Sequence, residues 1–115
     1  MLTPDEIFIL HPKIRWVGAS TSGGEIVFSK MRPGVQTITT EEDDRNLLEM
    51  GSLLLRGIAE RSSQFAGRVG CIAVLYEKFG QLIVQRNANN IILTFDNDHD
   101  APSTLHEIIE IIEKI

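Results

Sequence analysis

The stretch TEEDDRNLLEMGSLLLRGIAERSS, residues 40–63, decides how the rest of the chain is read. Thr40 suits an N-cap, because its hydroxyl can accept from a free backbone N–H of the first turn. Glu41, Glu42, Asp43 and Asp44 follow, four acids at the positive end of a helix dipole. Leu47, Leu48, Gly51, Leu54, Leu55 and Ile58 then recur at helical spacing. The pattern predicts a helix to about Ser63, roughly 23 residues or ~35 Å long, with Gly67 as its stop signal.

Working outward, IRWVGAS (14–20) reads as a strand with apolar residues on both faces, Ile14, Trp16 and Gly18 on one and Arg15, Val17 and Ala19 on the other. Such two-sided burial suits an inner strand. The turn Thr21-Ser22-Gly23-Gly24 and the run EIVFSK (25–30) complete a hairpin. Before it, Thr3-Pro4-Asp5-Glu6 has the form of a capping box with proline at the first helical position. That helix must be short, because Pro12 disfavours helical geometry at His11. After the long helix come VGCIAVLY (69–76), QLIVQRN (81–87) and NIILTFD (90–96), with hairpin-sized gaps between them. They predict an antiparallel three-stranded meander. A last helix, about 103–114, carries the stripe Leu105, Ile108, Ile109, Ile112 and Ile115. The fold class is therefore α+β (a layered α/β arrangement): one domain, residues 1–115, with helices covering a five-stranded antiparallel sheet.

Length and composition fit this. A chain of 115 residues is one domain's worth and buries about two-thirds of its unfolded surface. At 43% hydrophobic and 23% charged residues it is ordinary globular material. No apolar run approaches the ~20 residues of a membrane span, and the acidic start MLTPDEIF does not read as a secretory signal. Cys71 is the single cysteine, which excludes an intrachain disulfide and a four-thiolate metal site. A reducing, cytoplasmic setting is the expectation. The net charge is −5, and residues 96–115, with six acids and one lysine, hold the whole excess. A nucleic-acid partner would call for a basic stripe, and there is none.

The order hairpin, long helix, meander and terminal helix resembles the roadblock (dynein light chain) domain, which is related to longin and profilin-like folds. The resemblance spans about residues 14–114 and rests on order and spacing. Locally, Ile14-Arg15, Met31-Arg32-Pro33-Gly34-Val35 and Asp98-His99-Asp100 are similar to stretches in a family of small archaeal proteins. The roadblock resemblance implies a homodimer paired through the long helix and the following strand. It also implies a scaffold or regulator of small GTPases, motors or motility switches, with no catalytic residues and no cofactor. Roadblock domains usually begin with a full helix. The short one here predicts an under-covered sheet face, where an apolar pocket lined by Trp16, Phe28 and Phe95 would make a small-ligand sensor the alternative function.

Self-association is also expected from the residues. Val69, Cys71, Ile72, Ala73, Val74 and Leu75 carry no charge or proline to blunt a sheet edge. Pairing with a second copy across a two-fold axis would protect such an edge. Leu54 and Ile58 of the long helix complete the expected interface.

Candidate chemistry is sparse. Asp96, Asp98 and Asp100 alternate and Glu107 falls twelfth, as in a calcium loop. However, Ala101 stands at the sixth position where glycine is needed, and a solvated loop in which Asp100 or Ser103 caps the last helix is the plainer account. His106-Glu107 lacks the second histidine of a zinc helix, since position 110 is glutamate. The glycines at 23–24 precede no Gly-Lys-Ser/Thr and no helix, so they form a turn and not a phosphate cradle. Cys71 sits among apolar neighbours, as an inert core cysteine does. Arg15, Lys30 and Arg32 gather near the open end of the hairpin, either as an anion or partner contact or as ordinary solubility charge. Tyr76 and Phe79 flank a tight turn and, if exposed, would form an aromatic patch. No activated nucleophile or acid/base pair is visible, and an enzyme is not expected.

Overall fold

The computed structural model describes residues 2–114. The element order is α1 (Pro4–Leu10), β1 (Ile14–Thr21), β2 (Ile26–Met31), α2 (Glu41–Ala66), β3 (Cys71–Leu75), β4 (Phe79–Arg86), β5 (Asn89–Asp96) and α3 (Ala101–Glu113). The predicted capping box of α1 is present, and the predicted N-cap Thr40 proves to be part of a second one. Thr3 Oγ1 accepts from the N–H of Glu6, and Thr40 Oγ1 accepts from the N–H of Asp43 at 3.1 Å, while Asp43 Oδ2 accepts from the N–H of Thr40 at 2.8 Å. α2 runs three residues past Ser63 and stops at Gly67, whose φ of 85° is open to glycine at no steric cost. The β4–β5 hairpin has the two-residue loop Asn87-Ala88, with φ of 52° and 65°. Positive φ at both positions is the signature of a type I′ turn, whose twist matches that of the flanking strands.

All strand pairs are antiparallel, in the order β2-β1-β5-β4-β3. The five-stranded α+β reading stands. β5 and β4 lie inside and are buried on both faces, which is why their sequences are almost continuously apolar. Leu82, Val84, Ile91, Leu93 and Phe95 face α1 and α3, together with Ile7, Phe8, Ile108 and Ile112. Ile83 and Ile92 face α2 and pack with Trp16, Leu48 and Leu55.

The structure corrects the expected face of Ile14. A register irregularity between Ile14 and Trp16 makes Arg15 the extra residue opposite the step from Phe95 to Thr94. Such a bulge breaks the alternation of a strand. Ile14 consequently joins the α1/α3 core while Trp16 enters the α2 core. The first helix, short as expected, buries Ile7 and Phe8, while β2 stays largely exposed. A gap of about 70 Å³ remains between α1 and α3, bordered by Leu2, Leu10, Arg86 and Ile112.

Candidate functional site

The expected interface residues fall on two adjoining elements. β3 is one of the two edge strands and hydrogen-bonds within the sheet to β4 alone, so its other backbone edge is open among the described residues. Ala73 and Leu75 are exposed, whereas Val69, Cys71, Ile72 and Val74 are half-buried. Val69 and Ile72 pack against the α2 core, and Cys71 against the opposite one. Burial, and then the nearby Glu113 carboxylate, pushes the Cys71 thiol above its ordinary pKa, so it stays protonated and inert.

On α2 the apolar residues divide. Leu48, Gly51 and Leu55 are buried against the sheet. Leu54 and Ile58 are not: with Met50 and Phe65 they form a second stripe, between 37% and 83% exposed. Positions 50, 54, 58 and 65 recur at one, one and two turns, so they share one side of the helix. Met50 and Phe65 were missed in the sequence because the expected stripe was drawn as a single face. A helix whose apolar residues exceed one face is the signal that exposes the error. An uncovered strand edge and an exposed helical stripe are features of an association surface rather than of a reaction centre.

Of the candidate metal ligands, Asp98 and Asp100 lie together, whereas Asp96 and Glu107 are engaged elsewhere. Asp96 accepts from Arg15 Nη1 at 2.7 Å, and Glu107 pairs with His11 at 2.6 Å. Lys13 Nζ lies 3.1 Å from Asp98 and 3.6 Å from Asp100. Asp98, His99 and Asp100 could bring ligand atoms within 4.8 Å of one another, but all three are exposed. The hydrogen bond from Lys13, seconded by one from the N–H of Asp100, holds the Asp98 carboxyl below its ordinary pKa. These acids therefore balance the basic segment entering β1. Asp100 is the N-cap residue of α3, yet neither it nor Ser103 caps by side chain, and Ser103 lies within the helix.

The hairpin cations are likewise absorbed by the fold. Arg15 also donates to the Gln36 carbonyl at 2.8 Å, Lys30 pairs with Asp5 at 2.9 Å, and Arg32 is committed to backbone carbonyls. Tyr76 and Phe79 pack in a tilted pair, ring centroids 5.1 Å apart and planes at 45°, at the β3–β4 turn. The expected sensor pocket does not form: Trp16 and Phe95 are buried on opposite faces of the sheet, and the half-buried Phe28 packs with the Phe95 side. The parity break at Arg15 leaves Trp16 with α2, where its indole N–H donates to Ser29 Oγ at 3.1 Å.

No protein-family model and no curated protein sequence matches the chain. Solved structures do match it in fold. A roadblock/LC7 domain from Streptomyces avermitilis is similar with a TM-score of 0.65 at 10% identity, over 96% of this chain and 89% of the other. MglB in a tetrameric arrangement gives 0.72 at 11% identity, over 96% and 76%. The gliding protein MglB from Thermus thermophilus gives 0.65 at 11%, over 96% and 86%. The chain thus has the roadblock fold, shared at identities that speak for architecture alone. Among the described residues, no helix is long and apolar enough to cross a membrane.

Proposed function

We infer that the chain is a non-catalytic cytoplasmic interaction module that works as a homodimer and docks a protein partner such as a small GTPase. The observation carrying this reading is the exposed stripe Met50, Leu54, Ile58 and Phe65 on α2 together with the open edge of β3, the next element in the chain. Pairing β3 with its copy would continue one sheet across two chains, satisfying its backbone edge while the stripes cover each other. A stable interface needs about 800 Å² from each partner, which a helix face of this length together with a strand edge can supply. The roadblock fold supports the reading, since domains that resemble it serve as scaffolds and regulators. The tetrameric arrangement of one MglB structure shows that one protein of this fold does assemble. The local similarity to small archaeal proteins belongs to the same reading.

The test is sedimentation of the wild type beside Leu54→Glu and Ile58→Glu, followed by binding to a panel of nucleotide-loaded small GTPases. The wild type is expected to sediment as a dimer and both variants as folded monomers with weakened partner binding. A wild type that stays monomeric at micromolar concentration removes the dimer from the proposal. A dimer that binds no GTPase in either nucleotide state removes that partner class.

A further inference from the structure

One cross-strand row of the sheet opens onto a cleft beside α2. Ile26 of β2 pairs with Ser20 of β1, Ser20 with Asn90 of β5, and Asn90 with Gln85 of β4. Where the next row under α2 carries Ile83 and Ile92, this one presents a hydroxyl and two carboxamides. The row forms the floor of a cleft of about 440 Å³ between α2 and the β1–β2 turn. That volume lies in the range of small-ligand sites.

The floor is polar, with Gln85 exposed at one end and Ser20 and Asn90 largely removed from water. Ser20 is 3% exposed and Asn90 6%. Their side-chain partner is Ser52 of α2, whose Oγ lies 3.1 Å from Ser20 Oγ and accepts from Asn90 Nδ2 at 3.2 Å. A carboxamide has two N–H donors and an oxygen with two lone pairs, so this network leaves most of the Asn90 capacity unused. Gln85 faces the same space from β4. The idle groups of Asn90 are not sealed away from solvent, so they are free to meet a polar ligand in the cleft.

The roof adds charge and an apolar wall. Glu49, Leu53 and Arg56 line the cleft from one side of α2. Glu49 and Arg56 form no ion pair with another described residue. Their seven-residue offset sets them about 10 Å apart along the helix axis, at 1.5 Å per residue. Leu53, Leu55 and Ile26 border the space between them.

We propose that this cleft binds a dipeptide-sized zwitterion. Its carboxylate meets Arg56 and its ammonium meets Glu49. Its peptide amide lies on the Asn90 and Gln85 carboxamides, and an apolar side chain rests against Leu53 and Ile26. Two extended residues span about 7 Å, and flexible glutamate and arginine side chains cover the remaining distance. A single amino acid is too short to engage both charges. The planar arginine fork suits a carboxylate bidentately. The cleft lies on the opposite side of α2 from the Met50–Phe65 stripe, so the inference stands independently of the dimer.

The test titrates the isotope-labelled full chain with glycyl-L-leucine, L-alanyl-L-leucine, free L-leucine and a dipeptide blocked at both ends, following backbone amide resonances. The two free dipeptides are expected to shift Ser20, Ser52, Gln85 and Asn90 saturably. Arg56→Gln, an exposed change that leaves the core intact, is expected to weaken binding about tenfold, as loss of one charge-assisted hydrogen bond does. Leu54→Glu is expected to leave binding unchanged. The proposal is overturned by the absence of any saturable shift up to about 10 mM ligand. It is equally overturned if the blocked peptide or free leucine binds as well, if Arg56→Gln has no effect, or if Leu54→Glu abolishes binding.

Discussion

His11 Nε2 lies 2.6 Å from Glu107 Oε2, while His11 Nδ1 accepts from the backbone N–H of Lys13 at 3.1 Å. An acceptor nitrogen carries no proton, so the ring is the Nε2–H tautomer and donates to the carboxylate. The contact ties the end of α1 to α3 across the whole chain. It is one of three, for Lys13 meets Asp98 and Arg15 meets Asp96. Every second residue from 11 to 15 thus meets an acid of the C-terminal segment, Lys13 and Arg15 as ion pairs and His11 as a hydrogen-bond donor, so the excess charge of residues 96–115 has a structural use.

Glu107→Leu leaves the ring N–H of a buried histidine without a partner. It is expected to cost about 1–3 kcal/mol, and Glu107→Gln, which still accepts, about 1 kcal/mol. Urea unfolding of both variants checks the order. Equal losses would mean that the carboxylate acts only by filling space.

Arg32 donates through Nε to the Ile14 carbonyl at 2.6 Å and through Nη2 to the carbonyls of His11, at 2.6 Å, and Phe8. Its guanidinium also sits 5.2 Å from the Phe8 ring centre. One side chain therefore fastens α1, the 11–14 connector and the end of β2. Lysine keeps the charge but cannot reproduce the fork, so Arg32→Lys should cost about 2–3 kcal/mol. A change under about 0.5 kcal/mol, typical of a surface site, would show the fork to be dispensable.

Gly51 sets helix propensity against packing. A Cβ there would run into Ile92, whereas one at Gly57 on the same helix meets nothing within 4 Å. Gly57→Ala is expected to stabilise by about 0.5–1 kcal/mol through helix propensity. Gly51→Ala should lose that gain and more, for a net cost of about 1 kcal/mol, because overpacking costs about 1–3 kcal/mol. Thermal melts of the pair test whether α2 truly seats on β5 at this point.

Long-period and turn signals made most of the fold legible in the sequence. Thr40 and its acids marked the start of α2, Gly67 its stop, and the three apolar runs the meander. What stayed hidden depends on tertiary partners. The bulge at Arg15 follows from pairing with β5 and with Asp96, so Ile14 was assigned the wrong face. Leu54 and Ile58 share the helical period of Leu48 and Leu55, and only the position of the sheet separates buried from exposed. Ser20, Gln85 and Asn90 are distant in sequence and become one row through strand register alone.

Two carboxyls should give opposite pH signatures. The Lys13 hydrogen bond holds Asp98 below the ordinary carboxylate pKa. Its stabilising effect is present above the unfolded value and fades as pH falls through the folded one. Burial pushes Asp44 up, against the bond it accepts from Thr39 Oγ1. The folded state there prefers the protonated acid, so the destabilisation is present at neutral pH and is relieved as pH drops. Asp98→Asn should therefore destabilise more at about pH 7 than at about pH 3, and Asp44→Asn should stabilise more at about pH 7 than at about pH 3. Denaturant titrations at both values decide it, and a shared sign for the two variants at neutral pH would contradict the assignment.

The β4–β5 turn offers a gain. Ala88 holds a φ of 65°, next to Asn87 at 52°. Asparagine tolerates this left-handed region, but for alanine the Cβ crowds the following carbonyl at a cost of about 1–2 kcal/mol. Glycine occupies it freely and is the favoured second residue of a type I′ loop. Ala88 is exposed at a hairpin tip, so little packing opposes the change. Part of the relief is offset by the greater freedom of glycine in the unfolded chain. Ala88→Gly should stabilise by about 0.5–1 kcal/mol, with Asn87→Gly nearer neutral. Unfolding midpoints of the two variants would settle the matter, and a destabilised Ala88→Gly would mean that the turn does not take this conformation.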